Sequence, residues 1–220
     1  MAILDSDFKD LSEKYPELKI IKQNDNYIIL GLVKLDHLYC DVRMTGVFEL
    51  EITVSDDFPN TLPVVRELTE KIDREYPHLY SNGQFCLASN MELKIYFSKR
   101  RDISEFIDEY VIPYLYTYRY YEEYGVYPYG ERSHGMMGDL EYLKELFQVD
   151  DWGKVLEIMI FISKSNYRGH LLCPCQSGKK LRNCHGETIK EIINCGLVDD
   201  CKNILNTIAE RMKKENGKHN

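Results

Sequence analysis

The sequence lacks any long apolar run. Hydrophobic residues make up 44% of its 220 positions. Its best run, 155–162, is short and contains Glu157, against the roughly 20 apolar residues that a membrane helix needs. The opening stretch, MAILDSDFKD, has no basic region followed by an apolar core, so no secretory leader is expected. Basic charge is in deficit: 28 Lys and Arg stand against 36 Asp and Glu, a net charge of -8. Such a chain is a poor general binder of nucleic acid or of an anionic membrane. It has no Gly-rich phosphate loop and no internal repeat. Nor does it hold an even set of cysteines. The seven are Cys40, Cys86, Cys173, Cys175, Cys184, Cys195 and Cys201, an odd count that argues against a disulfide framework. These absences lead to the expectation of a cytoplasmic protein of one or two domains, with enough apolar content for a real core.

What is present reads as strands first and helices after. Residues 4–18 carry Leu4, Phe8, Leu11, Tyr15 and Leu18 at helical spacing, weakened by Pro16. YIILGLV (27–33) suits a buried strand. VFELEITV (47–54) alternates, with Phe48, Leu50, Ile52 and Val54 on one side, which predicts a half-buried strand. FPNTLP (58–63) is barred by its prolines from helix and from central strand, and leads into a third strand at 64–68. Residues 76–89 have no clean period, and Pro77, Asn82 and Gly83 mark turns. Irregular chain beside a sheet is often functional. From Ile103, the residues Phe106, Ile107, Tyr110, Val111, Tyr114, Leu115 and Tyr118 form a helical stripe with a kink or restart at Pro113. Further helices are expected near 137–148 and 151–163. A last stripe runs through Cys201, Ile204, Leu205, Ile208 and Met212, before a polar tail, KKENGKHN, expected to fray. The fold class is α+β: an antiparallel strand meander flanked by helices, then a small metal module and a C-terminal helix.

The segment CPCQSGKKLRNCHG offers Cys173, Cys175, Cys184 and His185. Three thiolates and an imidazole make a complete tetrahedral donor set for structural zinc. Gly178 allows the intervening turn, and Lys179, Lys180 and Arg182 offset the charge of the bound thiolates. This wording resembles the SEC-C motif, a small zinc-binding tail found at the C-terminus of SecA and on many bacterial proteins. The resemblance implies one structural Zn2+ and a docking or stabilising role. With all four ligands from protein, no position is left open for catalysis.

Cys86 in GQFCLAS reads by itself either as a core cysteine or as a reactive one. Its surroundings resemble the active-site region of ubiquitin-conjugating enzymes. Phe58, Pro59 and Pro63 match that family's aromatic-Pro-x-x-x-Pro element. Gly83, Phe85, Cys86 and Leu87 match the segment that carries its acceptor cysteine. Tyr76, Pro77 and His78 stand where its His-Pro-Asn motif would stand. The resemblance implies that Cys86 accepts an acyl group as a thioester from an activated C-terminal glycine, and that a substrate lysine collects it as an amide. Tyr76 replaces a bracing histidine. His78 replaces the asparagine credited with steadying the loop or the oxyanion, and is either a donor and base or a turn residue. Without an adenylating motif the acyl group must arrive activated from a partner.

Within that family the likeness is to the bacterial versions of CBASS antiphage operons. There the donor is the C-terminus of a cGAS-like nucleotidyltransferase. The competing reading is a non-catalytic adaptor that binds a protein partner through this fold and the zinc tail. Expected domains are 1–165, 166–188 and 189–220.

Several other residues read as structural. Nine tyrosines between 110 and 129 exceed what one helix face can bury, so some pack on the sheet and others are left for a partner surface. His134, in a Gly-flanked loop, is a surface or capping residue, or a base for Cys86. His37 and His170 carry no further signal. Asp102 reads as a helix cap, and Cys40, Cys195 and Cys201 as core.

Overall fold

The alternation at 47–54 sits in a long strand, β3 (Val42–Ser55), whose Phe48, Leu50, Ile52 and Val54 are all buried. β3 pairs antiparallel with β2 (Asn26–Tyr39) on one side and β4 (Val64–Glu67) on the other, and β1 (Leu18–Gln23) pairs with β2. The order β1-β2-β3-β4 is a simple meander. The computed structural model describes residues 5–164 and 167–216. The chain divides into two compact units, Met1–Ala88 with Tyr96–Arg132, and Ser89–Ile95 with Ser133–Asn220.

The first unit holds the sheet. β2 extends well beyond the run 27–33 and is not buried on both faces. Ile29, Val33 and Leu35 point inward, while Leu32 is 39% exposed. The apolar run is therefore one face of a strand plus a partly exposed outer face. Gly31 lies on the inward column opposite Leu18 at φ +146, where a Cβ would stand 2.0 Å from the Glu17 carbonyl oxygen. Tyr39 and Val42 are paired, and the two residues between them, Cys40 and Asp41, have φ of 46 and 63. That is the two-residue hairpin turn favoured by strand twist. It leaves Cys40 exposed rather than in the core, because the turn sits at the hairpin tip.

The expected N-terminal helix is much shorter than 4–18. A 3-10 turn at Asp5–Phe8 is followed by one helical turn, α1 (Leu11–Lys14), and Leu4 lies outside the described residues. Asp7 is 3% exposed and pairs with Arg101 through two contacts of 3.0 and 2.9 Å. The Arg101 guanidinium also lies over the Phe58 ring.

The stripe from Ile103 is one helical rod in three parts: α3 (Ile103–Phe106), a π turn (Ile107–Val111) and α4 (Ile112–Tyr124). Asp102 caps it, accepting hydrogen bonds from the Ser104 and Glu105 amides. The π turn comes just before Pro113, whose ring would otherwise clash with the preceding turn. α4 lies against β2 and β3.

Three of its tyrosines are buried, and each gives its hydroxyl proton to a backbone carbonyl. Tyr114 donates to His78 at 3.0 Å, Tyr116 to Val42 at 3.1 Å and Tyr118 to Lys71 at 2.8 Å. Tyr124 and Tyr129 remain exposed at 52% and 44%.

The second unit is helical: α5 (Met136–Phe147), α6 (Trp152–Ser163), α7 (Gly186–Asn194) and α8 (Val198–Asn216). It also takes the first residues of α2 (Asn90–Lys99). α5 and α6 lie within a residue of the helices expected near 137–148 and 151–163. α6 packs on α5, α7 and α8. Its Val155, Ile158, Met159 and Ile162 are wholly buried with Leu143, Leu181, Ile189, Ile192 and Cys201, each such side chain contributing about 1.5–3 kcal/mol of burial.

This core differs from the expected boundaries. α5 and α6, assigned from sequence to the first domain, share their core with Cys173, Cys175 and the C-terminal helices. The 165/166 boundary itself lies outside the described residues, as does the end of the tail. Cys195 is half-buried at the end of α7, and Cys201 is buried. Among the described residues no helix is long and apolar enough to cross a membrane.

Candidate functional site

Two constellations of reactive side chains form, one in each unit. In the second unit, a bridge between Leu172 and Lys180 closes a small hairpin, with the Cys173 amide donating to the Lys179 carbonyl at 2.9 Å. Gln176 and Gly178 take positive φ to make its turn. A 3-10 turn, Leu181–Asn183, then brings Cys184 and His185 back toward the hairpin. Leu181 is wholly buried and anchors this return.

The donor atoms of Cys173, Cys175, Cys184 and His185 all lie within 4.8 Å of one another. His185 Nδ1 is 3.2 Å from Cys173 Sγ and 3.4 Å from Cys184 Sγ, and the Cys175 and Cys184 sulfurs are 3.5 Å apart. Four ligands bound at about 2.0–2.3 Å to a tetrahedral ion would stand about 3.5–3.8 Å apart. The residues therefore fit a metal ion of that class.

A neighbouring contact fixes the imidazole. His185 Nε2 is 2.7 Å from the Phe147 carbonyl oxygen. A carbonyl only accepts, so Nε2 carries the proton and the Nδ1 lone pair faces the sulfurs. This is the outer-shell arrangement that orients a metal-ligating histidine. Phe147 was not singled out from the sequence, because a backbone carbonyl has no signature there.

In the first unit, residues 78–86 form a second, tighter hairpin. The Gly83 amide donates to the Tyr80 carbonyl at 2.8 Å, with Gly83 at φ 77. Leu79 pairs with Phe85, and the Cys86 amide donates to the His78 carbonyl at 2.9 Å. This register sets residues 78 and 86 side by side. Cys86 Sγ and a His78 ring nitrogen lie within 4.8 Å. The hairpin is fastened to the sheet edge, since the Phe85 amide donates to Val65 and Gln84 pairs with Arg66. It is also fastened to α4: Tyr114 bonds the His78 carbonyl and its ring stacks on Phe85 at 4.2 Å.

Cys86 and His78 are half-buried. Burial pushes the Cys86 thiol above its ordinary value, and a hydrogen bond from Tyr80 partly opposes this. At neutral pH it is therefore a thiol, and its use as a nucleophile needs a base. Tyr76 is 3% exposed, with rings of His78, Tyr114, Tyr118, Tyr121 and Tyr127 around it. Its hydroxyl has no hydrogen-bond partner among the described residues. A cavity of about 270 Å³ opens against the Tyr80–Gly83 turn, with Glu67, Glu70 and Arg74 in its wall.

Of the other candidates, His134 is exposed in the second unit. His37 is half-buried against the Tyr116 ring, and His170 is exposed.

A family model described as the SEC-C motif matches residues 171–187, a span that includes all four members of the Cys/His cluster. Comparison with curated proteins returns no match, and comparison with solved structures returns none.

Proposed function

We propose that the chain is a ubiquitin-conjugating-enzyme-like acyl transferase that carries its cargo as a thioester on Cys86. The observation that supports this most is the hairpin register that holds a histidine nitrogen within 4.8 Å of a half-buried thiol. The order of elements supports it too: a four-stranded antiparallel meander, an irregular segment with the cysteine, then helices.

In the loading step Cys86 Sγ attacks the activated glycine carbonyl of a donor. His78 takes the thiol proton and returns it to the departing group. In the second step a lysine amine attacks the thioester carbonyl, and the carbon–sulfur bond breaks. The amine's proton passes through His78 to the leaving sulfur. The products are an amide and the free Cys86 thiol. The donor is a protein ending in glycine, and resemblance points to a cGAS-like nucleotidyltransferase in bacterial antiphage defence.

In the second unit Cys173, Cys175, Cys184 and His185 would hold one Zn2+. Bound there, zinc supplies structure only, and no step of the transfer involves it.

A non-catalytic adaptor is the competing reading, and the raised Cys86 thiol favours it. Co-expression with the genomic neighbours, read on non-reducing gels, separates the two. The transferase gives an adduct that thiol removes and that Cys86→Ala lacks. The adaptor gives no adduct, and its partner binding survives Cys86→Ala.

A further inference from the structure

The buried hydroxyls of Tyr76 and Tyr127 make no hydrogen bond among the described residues, and of the two rings only Tyr76 is almost fully buried, at 3% exposure. Tyr114 and Tyr118 pack edge-on to it at 5.9 and 5.2 Å, and each donates to a backbone carbonyl. The Tyr76 hydroxyl is buried and makes no hydrogen bond among the described residues. A buried donor left unmade is costly. Such groups are few in folded chains and each asks for a reason.

The ring is 3% exposed, and five other rings stand 5.2–6.4 Å from it. Its backbone is tied into the same turn, since the Leu79 amide donates to the Tyr76 carbonyl at 2.9 Å. The ring lies 5.6 Å from His78, whose nitrogen is in turn within 4.8 Å of the Cys86 sulfur.

We propose that the Tyr76 hydroxyl donates a hydrogen bond to the acyl oxygen carried on Cys86, and that this bond strengthens as the amine attacks and the oxygen becomes negative. The inference rests on the transferase reading and adds a second donor beside His78. A donor locked in place needs no reorganisation when charge develops, which is the condition for a strong oxyanion contact. Burial also raises the phenol well above its ordinary value, so it keeps its proton through neutral and alkaline pH.

The test uses the full chain, loaded by thiol exchange with a short peptide thioester ending in glycine. Discharge to hydroxylamine is followed by intact mass from neutral to alkaline pH. Tyr76→Phe is expected to discharge about 10- to 100-fold more slowly while melting no lower than the parent, because it deletes only an unpaired hydroxyl. Difluorotyrosine at position 76 keeps the shape and makes the phenol more acidic. Its discharge should fall away at a lower pH than the parent's, and this variant decides the matter if Tyr76→Phe does not fold. A Tyr76→Phe rate within about twofold of the parent, or a pH profile unmoved by the fluorinated ring, overturns the inference and leaves the transferase reading standing. A parent chain that discharges no faster than its urea-unfolded form removes the transferase reading itself.

Discussion

The chemistry of single residues turns on burial. Burial holds the Cys86 thiol above its ordinary value of 9.0, whereas Cys40 is exposed on a hairpin tip. Iodoacetamide at neutral pH should therefore label Cys40 before Cys86, with Cys86 labelling rising only above pH 9. Peptide mapping by mass reads both rates. Cys201 carries a stability consequence. Burial pushes its thiol up to about 12 from 9.0. Between those values the folded chain keeps a proton that the unfolded chain has released, so stability is full below pH 9 and declines as pH rises toward 12. Melting curves against pH should show that decline flatten in Cys201→Ala. At this scale the sequence exposes the four cluster residues, because their types and spacing are the signal. It brings His78 and Cys86 together only through resemblance, since their contact depends on a hairpin register no local pattern states. Tyr76 draws notice in the fold for a reason invisible in sequence: its buried hydroxyl, like that of Tyr127, has no hydrogen-bond partner among the described residues.

Among the elements, strands with one buried face and helices with a clean stripe are readable in advance. β3 alternates and α5 and α6 have apolar stripes, and all three lie where periodicity places them. β1 buries only Leu18 of its six residues, so nothing in LKIIKQ alternates. α2 buries Met91, Leu93, Ile95, Tyr96 and Phe97, a set too dense to show a helical period. Close approach of chain segments is equally hidden. Gly31→Ala would force a Cβ to within 2.0 Å of the Glu17 carbonyl, and should destabilise the first unit by about 3 kcal/mol in urea unfolding. Gly83→Ala, with nothing within 4 Å, should cost only about 1–2 kcal/mol for its positive φ. Asp7→Ala leaves Arg101 without its buried carboxylate and should cost about 3–5 kcal/mol by the same measurement.

Across the whole molecule, the chain divides into two compact units, whereas composition alone marks three segments. Composition shifts at the cysteine cluster, but packing does not stop there: Cys173, Cys175 and Leu181 belong to one core with α5 and α6. Metal at the cluster should therefore stabilise that entire unit. An ion present at about a thousandfold its Kd would add about 4 kcal/mol. Chelation should lower the unit's melting temperature, and elemental analysis should find one metal ion per chain, lost in Cys173→Ser and Cys184→Ser. For the transferase account the deciding measurement is peptide mapping of the Cys86→Lys chain after co-expression with its genomic neighbours. The account predicts a donor's C-terminal glycine joined through a thiol-resistant amide at position 86. An unmodified residue 86, in cells where the donor is abundant and intact, contradicts it.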